Sequence, residues 1–251
     1  MITIKNKVAV QKMTTAGGLL SDIIDRVAQL LRPGTSTLSI DAWIEMQMRN
    51  VQLVPQTKGY MGYRHASCIS VNDEIVHGVP DAHKIIQEGD LVKIDVCAAW
   101  KGYCADMTRC FFVGKPASTQ AEQLVKVAQQ ALDAGIAKAV VGNRLSDISA
   151  AIQQVVAPHG FGIIRDFAGH GIGKRMHEEP EILNYGEPGR GPLLRPGMTF
   201  ALEPMITLGD YNYYIASDGW TVKTKDKSLA AHVEDTILIT EEQPKILTRC
   251  A

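Results

Sequence analysis

The chain has 251 residues, 45% apolar and 21% charged, with 26 Lys and Arg against 27 Asp and Glu and a net charge of -1. That balance excludes a broad nucleic-acid-coating surface, which needs a basic excess, and it is the composition of a globular protein able to bury a sizeable core. No apolar run reaches the roughly 18 residues that span a bilayer, and Met1-Ile2-Thr3-Ile4-Lys5 lacks a signal core, so a cytoplasmic protein off the membrane is expected. The cysteines are Cys68, Cys97, Cys104, Cys110 and Cys250, an odd set without Cys-x-x-Cys. Reduced, mostly buried thiols are expected rather than structural zinc.

In chain order, Met13, Ala16, Leu20, Ile23, Ile24, Val27 and Leu31 predict a helix over 12–31, ended by Pro33-Gly34. A second helix is expected over 38–48, then an irregular stretch over 51–66 and a short strand over 68–71. The runs 91–98 and 104–113 read as an antiparallel hairpin turning near Trp100-Lys101-Gly102. Thr119-Gln120-Ala121-Glu122 fits a capping box ahead of a helix that stops by Gly142. Ser146 or Asp147 caps the next, closed by Pro158 and Gly160. Strands are expected over 162–167, 198–202, 211–215 and 233–240. Helix, helix, strands therefore occurs twice with no linker, which predicts one α+β domain, 1–251, with internal pseudo-symmetry.

The chemistry repeats as well. Gly89 precedes Asp95 by the spacing at which Gly197 precedes Glu203, and Asp106-Met107-Thr108 is echoed by Glu234-Asp235-Thr236. His77-Gly78-Val79-Pro80 is echoed by His177-Glu178-Glu179-Pro180. Carboxylates on apolar strands are costly to bury, and neighbours repel, unless a cation lies between them. Asp95 and Asp106 are expected roughly opposite each other on the hairpin, Glu203 and Glu234 repeat them, and His170 adds a nitrogen. Such a set suits divalent Mn, Fe, Co or Zn, and two such ions can jointly activate water. Singly, each acid reads as solvated or paired, and His77, His170 and His177 as turn histidines; the repetition is what favours the metal reading. The glycines of 169–173 match neither phosphate-loop pattern, which excludes nucleotide binding there.

Taken together, His77-Gly78-Val79-Pro80, Ile94-Asp95-Val96, Gly169-His170-Gly171-Ile172-Gly173, His177-Glu178-Glu179-Pro180, Glu203-Pro204-Met205 and Asp218-Gly219-Trp220-Thr221-Val222-Lys223-Thr224 resemble the type I methionine aminopeptidases of peptidase family M24. The resemblance runs over nearly the whole chain. It implies the pita-bread (creatinase/aminopeptidase) fold, with pseudo-two-fold halves around a curved antiparallel sheet. It implies two divalent ions: Asp95 on one, His170 and Glu203 on the other, Asp106 and Glu234 bridging. Glu203 would manage a proton, His177 polarise the scissile carbonyl and His77 bind substrate backbone. A methionine pocket would draw on Tyr60, Tyr63, Cys68, Met176 and Trp220. The implied activity is removal of the N-terminal methionine from peptides and nascent proteins, preferring a small second residue. A cytoplasmic monomer with transient ribosome contact goes with it, and direct nucleic-acid binding does not.

Departures from the family pattern at Arg64, Met176 and Met107-Thr108 bear on substrate preference rather than the metal set. The start of the metal domain near residue 1 fits a bacterial-type minimal enzyme. Two rivals share the scaffold: a proline-cutting peptidase of the aminopeptidase P or prolidase kind, and a non-catalytic binding protein, in which metal ligands would be lost.

Overall fold

A computed structural model describes residues 1–249, so Cys250 lies outside the described residues. Helix α1, Lys7–Val27, begins before the expected start because Asn6 caps it, accepting the Ala9 N–H at 2.9 Å. Its buried face carries Met13, Ala16, Leu20, Ile23, Ile24 and Val27. Helix α2, Thr37–Asn50, is capped by Ser36, which accepts the Ser39 N–H at 3.2 Å. Three short strands follow, β1 (Val54–Pro55), β2 (Cys68–Val71) and β3 (Glu74–Val76), then the long hairpin β4 (Leu91–Trp100) and β5 (Tyr103–Phe112).

Helix α3, Thr119–Lys138, corrects the expected capping box: Ser118 is the cap, accepting the Ala121 N–H at 3.1 Å. Helix α4, Leu145–Val156, starts before the expected Ser146 or Asp147. Asp147 instead reaches back from the first turn to accept the Arg144 N–H at 2.7 Å. The rest is strand: β6 (Gly162–Ile163), β7 (Gly169–Gly171), β8 (Glu178–Ile182), β9 (Thr199–Leu202), β10 (Met205–Thr207), β11 (Tyr213–Ile215), β12 (Val222–Thr224), β13 (Ala230–His232), β14 (Glu234–Leu238) and β15 (Lys245–Ile246). Of the expected 162–167 strand only Gly162–Ile163 forms.

Among the described residues, nine strands make an antiparallel sheet, β1-β4-β5-β14-β9-β7-β8, with β2 added to β4 and β15 to β14. The two halves meet where β5 pairs with β14, Thr108 opposite Glu234. Helices α1 and α2 pack on the β4–β5 half through Leu20, Ile24, Ile40, Ile44, Ile94 and Met107. Helices α3 and α4 pack on the β9–β14 half through Leu124, Leu132, Ile148, Phe200 and Ile237. That is the twofold repetition of the sequence, and it leaves the other face of the sheet for the site.

Side chains alternate across a strand, and β14 uses both faces. Glu234 points to the site, while Asp235, fully buried, points away. There Asp235 accepts from Arg109 at 2.7 Å, Arg249 at 2.7 Å and Thr248 at 2.8 Å. Arg109 also donates to the Glu234 carbonyl at 2.6 Å. This buried, multiply bonded ion set fixes the strand that carries Glu234.

Candidate metal centre

Each acid reaches the site by strand parity. On the hairpin Asp95 faces Thr108, and Asp106 faces Cys97. Asp106 is thus diagonal to Asp95 rather than opposite it, but equal parity keeps both on one face. Glu234 opens β14 on the neighbouring strand, and Glu203 follows the last residue of β9. His170 is not a turn residue: it is the middle of β7, opposite Ala201. Its flanking glycines serve close packing, since a Cβ on Gly169 would lie 2.4 Å from the Ala201 carbonyl oxygen and one on Gly171 2.0 Å from that of Glu179.

The five residues line one cavity of about 800 Å³. Ligand atoms of Asp106, His170 and Glu234 lie within 4.8 Å of one another. His170 Nε2 is 3.5 Å from Glu203 Oε1. Its Nδ1 sits 3.0 Å from the Gly171 carbonyl; donating there leaves Nε2 an open lone pair toward the acids. Asp106 Oδ1 and Glu234 Oε1 are buried without a hydrogen-bond partner. Thr108 donates to the other Glu234 oxygen, Oε2, at 2.9 Å.

Burial pushes all four carboxyls up: Asp95 to about 6, Glu203 to about 7, and Asp106 and Glu234 well above the ordinary range, all but Glu203 also by repulsion from neighbouring carboxyls. Burial pushes the imidazoles down, His77 and His232 to about 4 and His170 and His177 in the same direction. Orphaned carboxylate oxygens facing a neutral imidazole fit a divalent cation, which would satisfy the oxygens and offset their repulsion.

The walls gather the remaining expected residues. Tyr60, Tyr63, Cys68, His77, Met176, His177 and Trp220 all line the cavity. Tyr63 meets Trp220 edge-on at 5.0 Å, and its hydroxyl donates to the Ser67 carbonyl at 3.0 Å. The loop carrying Tyr63 and Cys68 is held by buried Asp41 of α2, which accepts from the Ala66 N–H and the Ser67 N–H and hydroxyl at 2.8–3.0 Å. Tyr60 is half exposed and stands 3.1 Å from His177 Nδ1, so its hydroxyl can hold the ring with Nε2–H free to donate. His77 has a φ of 57°, a left-handed conformation that costs a non-glycine residue energy and tends to mark functional positions. Cys97 shares the cavity with Asp95, as parity requires, whereas Met107 is buried in the core beneath α1 and α2. Arg64 is exposed and outside the lining.

Sequence reasoning missed four participants: Thr108, Asp41, the wall residue Phe167 and His232. Parity could have found two, since Thr108 lies two residues past Asp106 and His232 two before Glu234. Asp41 reads as an ordinary helix acid and carried no signal.

A buried carboxylate cluster joined by one metal-ready imidazole, on the floor of a cleft, defines the class: a divalent-cation hydrolase. The profile of metallopeptidase family M24 matches residues 11–241, and the chain belongs to that family. It is similar to the methionine aminopeptidase of Clostridium acetobutylicum, 43% identical over 250 residues that cover 100% of both chains. It is also similar to that of Escherichia coli, 39% identical over 248 residues, 98% of this chain and 94% of the other. The solved methionine aminopeptidase of Thermotoga maritima has a TM-score of 0.97 to this chain at 40% identity, covering 100% of each. A prolidase of Pyrococcus furiosus shares the fold alone, with a TM-score of 0.80 at 24% identity over 99% of this chain and 66% of that one. The fold is thus the pita-bread fold expected: helices outside an open antiparallel sheet, not a closed barrel.

Proposed function

We propose that the chain is a methionyl aminopeptidase, hydrolysing the first peptide bond of peptides and nascent proteins that begin with methionine, as one catalytic domain over 1–251. The carrying observation is that Asp95, Asp106, His170, Glu203 and Glu234 share the floor of the cavity whose wall holds Tyr63, Cys68, Met176 and Trp220. Asp106, His170 and Glu234 would hold one divalent ion, and Asp95 and Glu203 extend the set to two, drawn from Mn, Fe(II), Co or Zn. The bound cations supply Lewis acidity and acidify water.

The chain's own groups do the rest. The apolar wall accepts the flexible thioether of methionine. The acidic floor attracts the terminal amine beside Asp95; an internal residue has no such amine, which accounts for exopeptidase action. Glu203, at the edge of the cluster with its pKa raised to about 7, is matched to taking a proton from water and passing it to the leaving amine. His177, steadied by Tyr60, donates to the developing oxyanion. His77, held in its strained backbone, donates to the substrate main chain. A monomer in the cytoplasm, meeting nascent chains by transient ribosome contact, completes the reading.

The test is mass-spectrometric cleavage of Met-Ala-Ser, Met-Pro-Ser and Ala-Pro-Ser after stripping and reloading each ion. Release of methionine from Met-Ala-Ser, and no cleavage of the X-Pro bond in Ala-Pro-Ser, is expected. Proline-bond cleavage alone would assign the proline-cutting activity of the aminopeptidase P kind, and hydrolysis surviving full chelation would remove the metal from the reaction.

A further inference from the structure

We propose that His232 is a positioning residue that locks the Glu203 carboxylate from behind the cavity wall. His232 ends β13 opposite Met205 of β10, and so sits across from the turn that carries Glu203. It is 2% exposed and is absent from the cavity lining, whereas Glu203 is part of that lining. Its Nε2 is buried without a hydrogen bond, and a carboxylate oxygen, Glu203 Oε2, stands 3.3 Å from it. The opposite oxygen, Oε1, is 3.5 Å from His170 Nε2. Glu203 therefore stands between two imidazoles, one on the cavity side and one behind.

A small rotation of the carboxylate would close the His232 contact to hydrogen-bond length. With Nε2–H donating, Oε2 is pinned and Oε1 is presented to the site. Asn184 fixes the same residue at its backbone, donating to the Glu203 carbonyl at 3.1 Å. Partners of this outer kind orient a ligating carboxylate and commonly set metal affinity. The site acids alone do not account for His232: it is too deep to touch substrate, and a buried nitrogen left unpaired would be a cost without a return.

The inference rests on reading Glu203 as a member of the metal site. Wild-type protein, His232→Ala and His232→Gln are each stripped of metal. They are then titrated with Mn²⁺ by calorimetry and with Co²⁺ by visible absorption, alongside kcat and KM on Met-Ala-Ser. Expected for His232→Ala is a loss of about 10–100-fold in cation affinity and a matching fall in kcat, with KM held. His232→Gln, whose amide can still donate to Oε2, should recover most of both, and its Co²⁺ spectrum should keep the wild-type band shape. Unchanged affinity and kcat in His232→Ala would overturn the inference, as would a change in KM alone. His232→Gln folding normally yet failing as badly as His232→Ala would overturn it too. A wild-type protein that neither binds cation nor cleaves peptide would overturn the reading of the site itself, and the inference with it.

Discussion

At the residue scale, the site is a problem of compensating buried charge. Four carboxyls and His170 share one floor, and each is perturbed against its charged form by burial. Glu203 differs from the other acids in standing between two imidazoles, His170 and His232. Replacing Glu203 with Gln keeps the shape and removes the proton acceptor, so kcat should fall by about 10²–10⁴-fold. The metal-free variant should melt no lower than wild type, because one member of a self-repelling set is gone. Near-normal turnover, measured by release of methionine, would take Glu203 out of the reaction. These acids were legible in the sequence because they occur twice at matched spacings. His232 was not, because the matched position in the first half, two residues before Asp106, is Cys104, so no repeat marks it.

At the scale of elements, strand parity and two close backbone approaches place the donors. The β4–β5 hairpin was expected from its apolar runs, and its register slides Asp106 to the diagonal of Asp95 while keeping the face. Strand β7 was not expected: three residues, two of them glycine, carry no β propensity. It is a strand because its neighbours β8 and β9 supply the ladder, and because only glycine fits against the Glu179 and Ala201 carbonyls. Gly171→Ala would force β7 away from β8, since the new Cβ would overlap backbone rather than a movable side chain. We expect that variant to lose cation affinity by at least about tenfold through displaced His170, while helix content by circular dichroism is retained. Wild-type affinity in Gly171→Ala would show that β7 can relax without moving its histidine.

At the scale of the whole molecule, the junction of two halves concentrates negative charge, and stability should reveal it. Burial and mutual repulsion hold Asp106 and Glu234 well above the ordinary carboxyl range, so the folded, metal-free protein keeps protons on them at pH values where the unfolded chain has released them. Their contribution is complete below the unfolded carboxyl range and is lost as pH rises through the folded values. The depressed imidazoles of His77 and His232 act oppositely, but only between their folded values of about 4 and the unfolded value near 6.5. Lys93, lowered to about 8, starts to oppose only above that value. In the window that opens above about pH 6.5 the imidazoles no longer oppose, and the raised carboxyls, Glu203 up to its folded value of about 7 among them, set the sign, at up to about 1.4 kcal/mol per pH unit for each group still titrating. Melts of chelated protein should show a Tm that falls across this window, and added Mn²⁺ should raise Tm more at the upper end. A flat profile would mean that the four acids are not mutually buried.

The sequence by itself determined the two-part architecture, the helices and long hairpin, and the acids and histidines of the site, because periodicity and repetition are local or pairwise properties of the chain. Tertiary structure alone decided the register of Asp106, the existence of β7, the anchoring of Tyr63 and Cys68 by Asp41, and the seat of His232 behind Glu203. Those depend on contacts between segments distant in the chain, where close packing and the satisfaction of buried polar atoms override local preference.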